Sequence, residues 1–318
     1  MVCHADIKMT TNKGELMKPI NGILSALITP FDSAGNINHE MIRRLVRYQL
    51  DAGLTGFFVN GGTGEGLLLD SDERKQALET VIDETGDAGH VIAHVGAVAT
   101  HTAADLAAHA QAAGATAISA IPPIYFKVDL PALRAHYQQI ADAAPDLPLW
   151  LYNIPGATGV TVTADMFTEL LKIPQVTGIK YTSYDFFTMR KMIEIDAGRP
   201  VTVLSGPDEM CLPALVMGSD GAIGTTYNIL PGLFADLYRC YREGDLVAAQ
   251  TKQYQANRVI KAFTSAPSLS TVKAILGRLG FDCGVPRRPL RPLTTAETDQ
   301  LWQQLEEAEF SKLIDIPF

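Results

Sequence analysis

Cysteine is scarce and scattered in this chain: Cys3, Cys211, Cys240 and Cys283 are its only four in 318 residues. None forms a CxxC pair or a short ladder, which excludes a zinc knuckle or a disulfide scaffold and fits a reducing compartment. His94 and His101 have no companions at a metal-ligand spacing. No run of 18 apolar residues is present, so no membrane-spanning helix is expected. The opening MVCHADIKMTTNKGELMKP carries no apolar signal core and reads as a loose tail, with Met17 as a candidate start. Positive charge is in deficit: 26 Lys and Arg against 35 Asp and Glu give a formal charge of -9. That excludes a broad basic surface for nucleic acid. No GxGxxG follows the first apolar run, which counts against a dinucleotide site, and no GK[ST] follows the glycine-rich turn, which is therefore not a Walker loop. A cytoplasmic protein is the expectation.

What is present is a core. At 47% hydrophobic and 19% charged, the chain has enough apolar material for a large domain. From Ile23 a two-part unit recurs, a short β-branched run followed by a helix-like pattern. The runs are ILSALIT, TGFFVN, HVIAHV, ATAISA, LPLWLYN, VTGIK, VTVLSG and DGAIGT. They are apolar throughout rather than alternating, as strands covered on both faces are. Gly53, Gly89, Gly114, Gly198 and Gly218 read as helix stops. Eight such units predict an α/β fold, a (β/α)8 barrel over residues 19–243, with an open doubly wound sheet as the competing arrangement. Residues 1–18 are the tail. Residues 244–318 predict a three-helix extension, with helices at 245–263, 268–279 and 294–313.

In a (β/α)8 barrel the chemistry gathers at the C-terminal strand ends. Lys180 ends the sixth run, where a lysine has little room to reach bulk water. Desolvation favours its neutral amine, and such an amine attacks a ketone to form an imine. A structural lysine paired with a carboxylate fits the position equally well. Tyr152 ends the fifth run, as a proton carrier or as a packed aromatic. GGTGE, with Gly62 and Thr63, offers backbone and hydroxyl donors to a carboxylate or phosphate. Glu65 is read as fixing this loop or as a cap, not as a catalytic group. Asp208 and Glu209 either accept hydrogen bonds from a polyhydroxylated ligand or cap the next helix. His94 reads as a satisfied barrel residue.

The motifs GGTGE, YNIP, GIKYTS, GPDE and GAIGTTYN, in that order and spacing, make the chain resemble the pyruvate-dependent class I aldolases of the dihydrodipicolinate synthase and N-acetylneuraminate lyase family. The resemblance covers about Ile20 to Leu301. It implies a barrel with a helical C-terminal extension, a homotetramer, and an imine between Lys180 and pyruvate, with no metal and no organic cofactor. It makes Tyr152 the proton carrier, Thr63 and the amide of Gly62 the carboxylate holders, and Tyr125 part of a tyrosine network between subunits. The synthase branch expects an arginine where Ala157 stands, and a methyl group does not replace a bidentate guanidinium. The sialic acid lyase branch fits better, and by that resemblance Thr182, Gly206, Asp208, Glu209 and Thr225 line the sugar-chain site. Two departures are Thr225, where the lyases usually have serine, and Gly62, where they have serine before the threonine; weaker pyruvate retention is expected from the second. The implied reaction is reversible cleavage of N-acetylneuraminate to N-acetylmannosamine and pyruvate. Cleavage of another 2-keto-3-deoxy sugar acid is the alternative, ahead of the synthase reaction or a non-catalytic keto-acid-binding role.

Overall fold

The computed structural model describes residues 9–10, 16–17, 20–263 and 266–314. The expected loose tail lies mostly outside the described residues; within them, Met9–Thr10 and Leu16–Met17 form a short antiparallel ladder. Eight parallel strands follow: β1 Gly22–Ala26, β2 Gly56–Val59, β3 His90–His94, β4 Ala117–Ala120, β5 Leu149–Asn153, β6 Val176–Tyr181, β7 Thr202–Ser205 and β8 Gly221–Gly224. Each pairs with its sequence neighbour, and β8 closes on β1 with Gly221 opposite Gly22. The (β/α)8 barrel is therefore the observed fold, and the open sheet is excluded.

The strands are apolar on both faces because each face meets a different core. Leu24, Phe58, Ile92, Trp150, Leu204 and Ile223 fill the barrel interior. Ile23, Phe57, Val91, Ile118, Leu151, Ile179 and Val203 point outward into a second cluster shared with the helices. Period-2 alternation is present in space but hidden in the sequence, as expected for a sheet covered on both sides.

The helices are α1 His39–Asp51, α2 Ser71–Thr85, α3 Thr100–Ala113, α4 Leu130–Ala143, α5 Pro155–Thr158, α6 Ala164–Leu170, α7 Phe186–Ile193, α8 Cys211–Val216, α9 Pro231–Glu243, α10 Leu246–Phe263, α11 Ser268–Arg278 and α12 Thr295–Glu307. Many start on a side-chain acceptor. Asp70 and Glu73 form a capping box on α2, and Thr294 and Glu297 form one on α12. Gly53, Gly114 and Gly218 lie just past α-helix ends as expected; α2 itself ends at Thr85, and Gly89 instead closes the 3-10 turn Gly86–Ala88 that follows it. Gly198 lies in the loop beyond α7 rather than at its end. The last helix is shorter than the predicted span. It stops at Glu307 because Glu309 turns into the left-handed region, and a 3-10 turn then buries Phe310.

A one-residue irregularity sets the register that matters most. Leu149 pairs with Val176 but Trp150 pairs with Gly178, so Thr177 is bulged out of β6. From there Tyr152 lies opposite Lys180. One layer below, the Trp150 indole occupies the space a side chain at Gly178 would need.

Candidate active site

Lys180 points into the barrel from β6 and is 4% exposed. Its Nζ lies 4.2 Å from the centroid of the Phe58 ring and 4.3 Å from that of Tyr152. Burial pushes its ammonium down to about 7, and the negative charge of Asp208 opposes that only in part. An amine in this setting is substantially neutral at physiological pH and nucleophilic. Burial acts on Tyr152 in the opposite sense, holding the phenol protonated well above its usual range. The Thr182 hydroxyl faces that phenol and offsets part of the rise, although it falls short of a well-formed hydrogen bond and its Oγ1 has no partner among the described residues.

The glycine turn follows β2. Thr63 is buried, and its hydroxyl lies 2.6 Å from that of Thr225 beyond β8. The turn is held from below by the Thr29 hydroxyl, which donates to the Gly64 carbonyl at 2.6 Å. Gly66 is obligatory there, since a Cβ would fall 1.8 Å from the Asn60 carbonyl oxygen. Gly62 is exposed and a Cβ on it would meet nothing within 4 Å.

The acidic wall comes from the turn after β7. Asp208 is buried, and its Oδ2 accepts from the Thr226 amide at 2.7 Å and the Thr226 hydroxyl at 2.6 Å. Burial raises its carboxyl to about 6 despite those two donors. Glu209 accepts from the Tyr184 hydroxyl, which raises that phenol to about 12. Neither carboxylate caps α8; Asp208 instead ties the ends of β7 and β8 together. Gly206 lets Thr182 approach, because a Cβ there would fall 1.9 Å from Thr182 Oγ1.

Lys180, Tyr152, Thr63, Thr182, Gly206, Asp208, Glu209 and Thr225 thus converge at one end of the barrel, with Gly62 on the rim. Tyr125 is not brought to them: its side chain is 90% exposed, its backbone is left-handed, and its ring contacts Phe126. His94 is only half satisfied. Its Nδ1 lies 3.0 Å from the Asn60 carbonyl oxygen, whereas Nε2 has no partner among the described residues. Burial, with the charge of Arg74, pushes His94 down to about 3, so it is neutral in the site. It lines a cleft of about 620 Å³, part of it open to solvent, with Gly62, Tyr152, Ile154, Ala157 and Leu290. Tyr152 is shared between this cleft and the Lys180 cluster. Among the described residues no group of three His, Cys, Asp or Glu side chains is placed to hold a metal ion, and no helix is long and apolar enough to cross a membrane.

Several contributors have no signal in the sequence. Phe58 reads as ordinary core, yet it walls Lys180. Gln253 donates to the Asp208 carbonyl at 3.1 Å and Asn257 to the Glu209 carbonyl at 3.2 Å, so α10 holds the acidic turn from behind. Polar residues on a helix far along the chain look like a solvated face until the helix is docked.

The match to proteins of known family is extensive. The family model described as dihydrodipicolinate synthetase matches residues 19–308. An N-acetylneuraminate lyase of Rhizobium meliloti is 40% identical over 278 residues, covering 87% of this chain and 92% of that one. The solved wild-type sialic acid aldolase of Ruminococcus gnavus superposes with a TM-score of 0.86 at 32% identity, covering 92% of this chain and 99% of that one. A dihydrodipicolinate synthase of Bacillus anthracis does so with a TM-score of 0.85 at 32% identity, covering 91% and 99%. The two activities are equally near in backbone. With its closed barrel, its buried strand-end lysine and this breadth of identity, the chain belongs to the dihydrodipicolinate synthetase family of class I Schiff-base aldolases.

Proposed function

We propose that the protein reversibly cleaves N-acetylneuraminate into N-acetylmannosamine and pyruvate. The observation that carries the reading is the pairing of the desolvated Lys180 with a site wall of hydroxyls and acceptors, Thr182, Asp208, Glu209 and Thr225, that suits a polyol. Against the synthase reaction stands Ala157, in a cleft whose other lining near Tyr152 includes Ile121, Ile124, Ile154, Thr158 and Leu290. Among the described residues no lysine or arginine lines that cleft to receive a second carboxylate. The relatives named as N-acetylneuraminate lyases support the same choice.

In the forward direction the neutral Lys180 amine attacks C2 of the open-chain keto acid, and loss of water gives the imine. Thr63 and the amides of the glycine turn, Gly62 included, hold the carboxylate. The C4 hydroxyl gives up its proton through Tyr152, the C3–C4 bond breaks, and its electrons pass into the protonated imine to form an enamine. The sugar leaves as an aldehyde. Protonation at C3 and addition of water then release pyruvate and restore the amine. Because the Tyr152 phenol is protonated at rest, it acts as a relay, taking the C4 hydroxyl proton as it gives its own to C3 of the enamine.

A second reading keeps this chemistry with another 2-keto-3-deoxy sugar acid, favoured by the extra methyl group of Thr225. Pyruvate release measured across a series of sugar acids separates the two: the proposal expects the highest kcat/KM for N-acetylneuraminate, and a higher value for a non-aminated acid would replace it. A homotetramer belongs to the same proposal and is checked by light scattering on the eluting protein.

A further inference from the structure

Glu65 directly follows the Thr63–Gly64 pair and has left-handed backbone, with φ 55. Its side chain is fully buried, yet the groups it meets come from the far end of the chain. Oε1 lies 2.7 Å from Nζ of Lys273 on α11, whose side chain is 1% exposed. Oε2 accepts the backbone N–H of Arg287 at 2.6 Å. The Lys273 Nζ also lies 4.1 Å from the centroid of the Phe31 ring, and burial lowers its pKa against the pull of Glu65. Arg287 continues the grip: its guanidinium pairs with Glu73 and donates to the Leu68 carbonyl at 3.3 Å. Three residues on, Leu290 lines the cleft beside Gly62 and Tyr152.

A buried ion pair contributes little net stability against well-packed apolar residues, but losing one partner strands a charge and is costly. What such a pair does supply is a single geometry. The turn it holds needs one, because Gly61, Gly62, Gly64 and Gly66 give it almost no conformational preference of its own. The bonds local to the turn are Glu65 N to the Gly62 carbonyl at 3.1 Å and Gly66 N to the Gly61 carbonyl at 3.0 Å. These fix its curl. The Glu65 carboxylate ties that curl to the extension.

We propose that Lys273 and Glu65 are positioning residues for the ligand carboxylate, so that docking of the C-terminal extension and binding of an α-keto acid are linked through the glycine turn. This rests on the reading of that turn as the pyruvate carboxylate site. Neither residue touches the reacting atoms. Their effect is on how well the amides and the Thr63 hydroxyl are aimed before the ligand arrives.

The test uses the full chain and two variants, Lys273→Met and Glu65→Gln/Lys273→Met. Two quantities are read: amide hydrogen exchange over residues 61–68 without ligand, and the pyruvate concentration giving half-maximal borohydride trapping at Lys180. Lys273→Met should speed exchange in that segment and raise half-saturation about tenfold, leaving trapping at saturation within about twofold. The double variant, which strands no charge, should regain most of the lost melting temperature but keep the faster exchange and the raised half-saturation, because the tie between turn and extension is still gone; a return of half-saturation to the parent value would show that only the stranded charge mattered and would overturn the proposal. A lower melting temperature with unchanged exchange in 61–68 and unchanged half-saturation would show a purely structural pair and overturn the proposal. If Lys273→Met does not accumulate, Arg287→Ala cuts the guanidinium link and reads the same quantities, with a shift of about threefold expected. A parent protein that traps no pyruvate would remove the carboxylate-site reading instead, and the exchange measurement would then decide the coupling of turn to extension.

Discussion

Tyr152 and Lys180 are register partners on adjacent parallel strands, and both point into the barrel, with the lysine Nζ 4.3 Å from the centre of the tyrosine ring. The bulge at Thr177 produces that pairing, and Gly178 makes room for Trp150 beneath it. The two groups have opposite requirements of the same dry pocket: burial keeps the amine neutral and the phenol protonated. Their roles should separate on substitution. Lys180→Ala should abolish trapping of pyruvate. Tyr152→Phe should keep trapping and lower kcat about 10²–10⁴-fold, the usual range for a lost proton-transfer group. Equal loss of trapping in both variants would show that the tyrosine serves the lysine rather than the carbon–carbon bond.

The pH dependence has a definite sign. Between pH 5 and 9 Lys180 titrates at about 7 and Asp208 at about 6, while His94 stays neutral and the Tyr152 phenol stays protonated. The rate of imine formation should therefore rise through about pH 7 and level off. Asp208 holds the Lys180 pKa up, so Asp208→Asn should move the rising limb to lower pH. A move to higher pH would contradict the electrostatic account of the site.

The same shift predicts stability. The folded chain gives up the Lys180 proton near 7, the unfolded chain near 10.5. Across that window the unfolded state binds more protons, so stability rises with pH. Below about 7 the full penalty of the buried ammonium is present. Lys180→Met should raise the melting temperature most at pH 6, with a smaller gain at pH 9. A gain independent of pH would mean that the lysine is not desolvated.

Gly62 is free to become serine, because a Cβ at that position has no neighbour within 4 Å. Gly62→Ser adds a hydroxyl donor at the rim of the carboxylate site. One such bond to a charged oxygen contributes about 1–3 kcal/mol, so half-saturating pyruvate should fall about tenfold. An unchanged value would show that water or a backbone amide already serves that oxygen.

Gly206→Ala tests the polyol side separately. The new methyl group would overlap Thr182 Oγ1 at 1.9 Å and drive that side chain from its place. Overpacking of this kind costs about 1–3 kcal/mol. KM for the sugar acid should rise while pyruvate trapping holds. Loss of trapping to the same extent would place Thr182 with the pyruvate half of the site.

The barrel was legible because eight apolar runs alternate with eight helical patterns, and the strand ends then carried Lys180, Tyr152 and the glycine turn to one face. The finer structure was not. The Thr177 bulge lies in an unbroken β-branched stretch, and α5 at Pro155–Thr158 is a single turn with no period to detect. Asp208 and Glu209 left capping and ligand roles open until the bonds to Thr226 and Tyr184 excluded capping. The Glu65 side chain was expected to fix its loop or to cap, and it ties the loop to Lys273 and to the Arg287 amide, 222 residues away, a pairing that no local pattern encodes.

The most direct measurement is to incubate the protein with N-acetylneuraminate alone, add borohydride, and determine the intact mass and the modified residue. A three-carbon adduct on Lys180 is the predicted result, since it requires both imine formation and cleavage of the C3–C4 bond. No adduct from this sugar, with pyruvate itself trapped normally, would contradict the assignment of N-acetylneuraminate as the substrate.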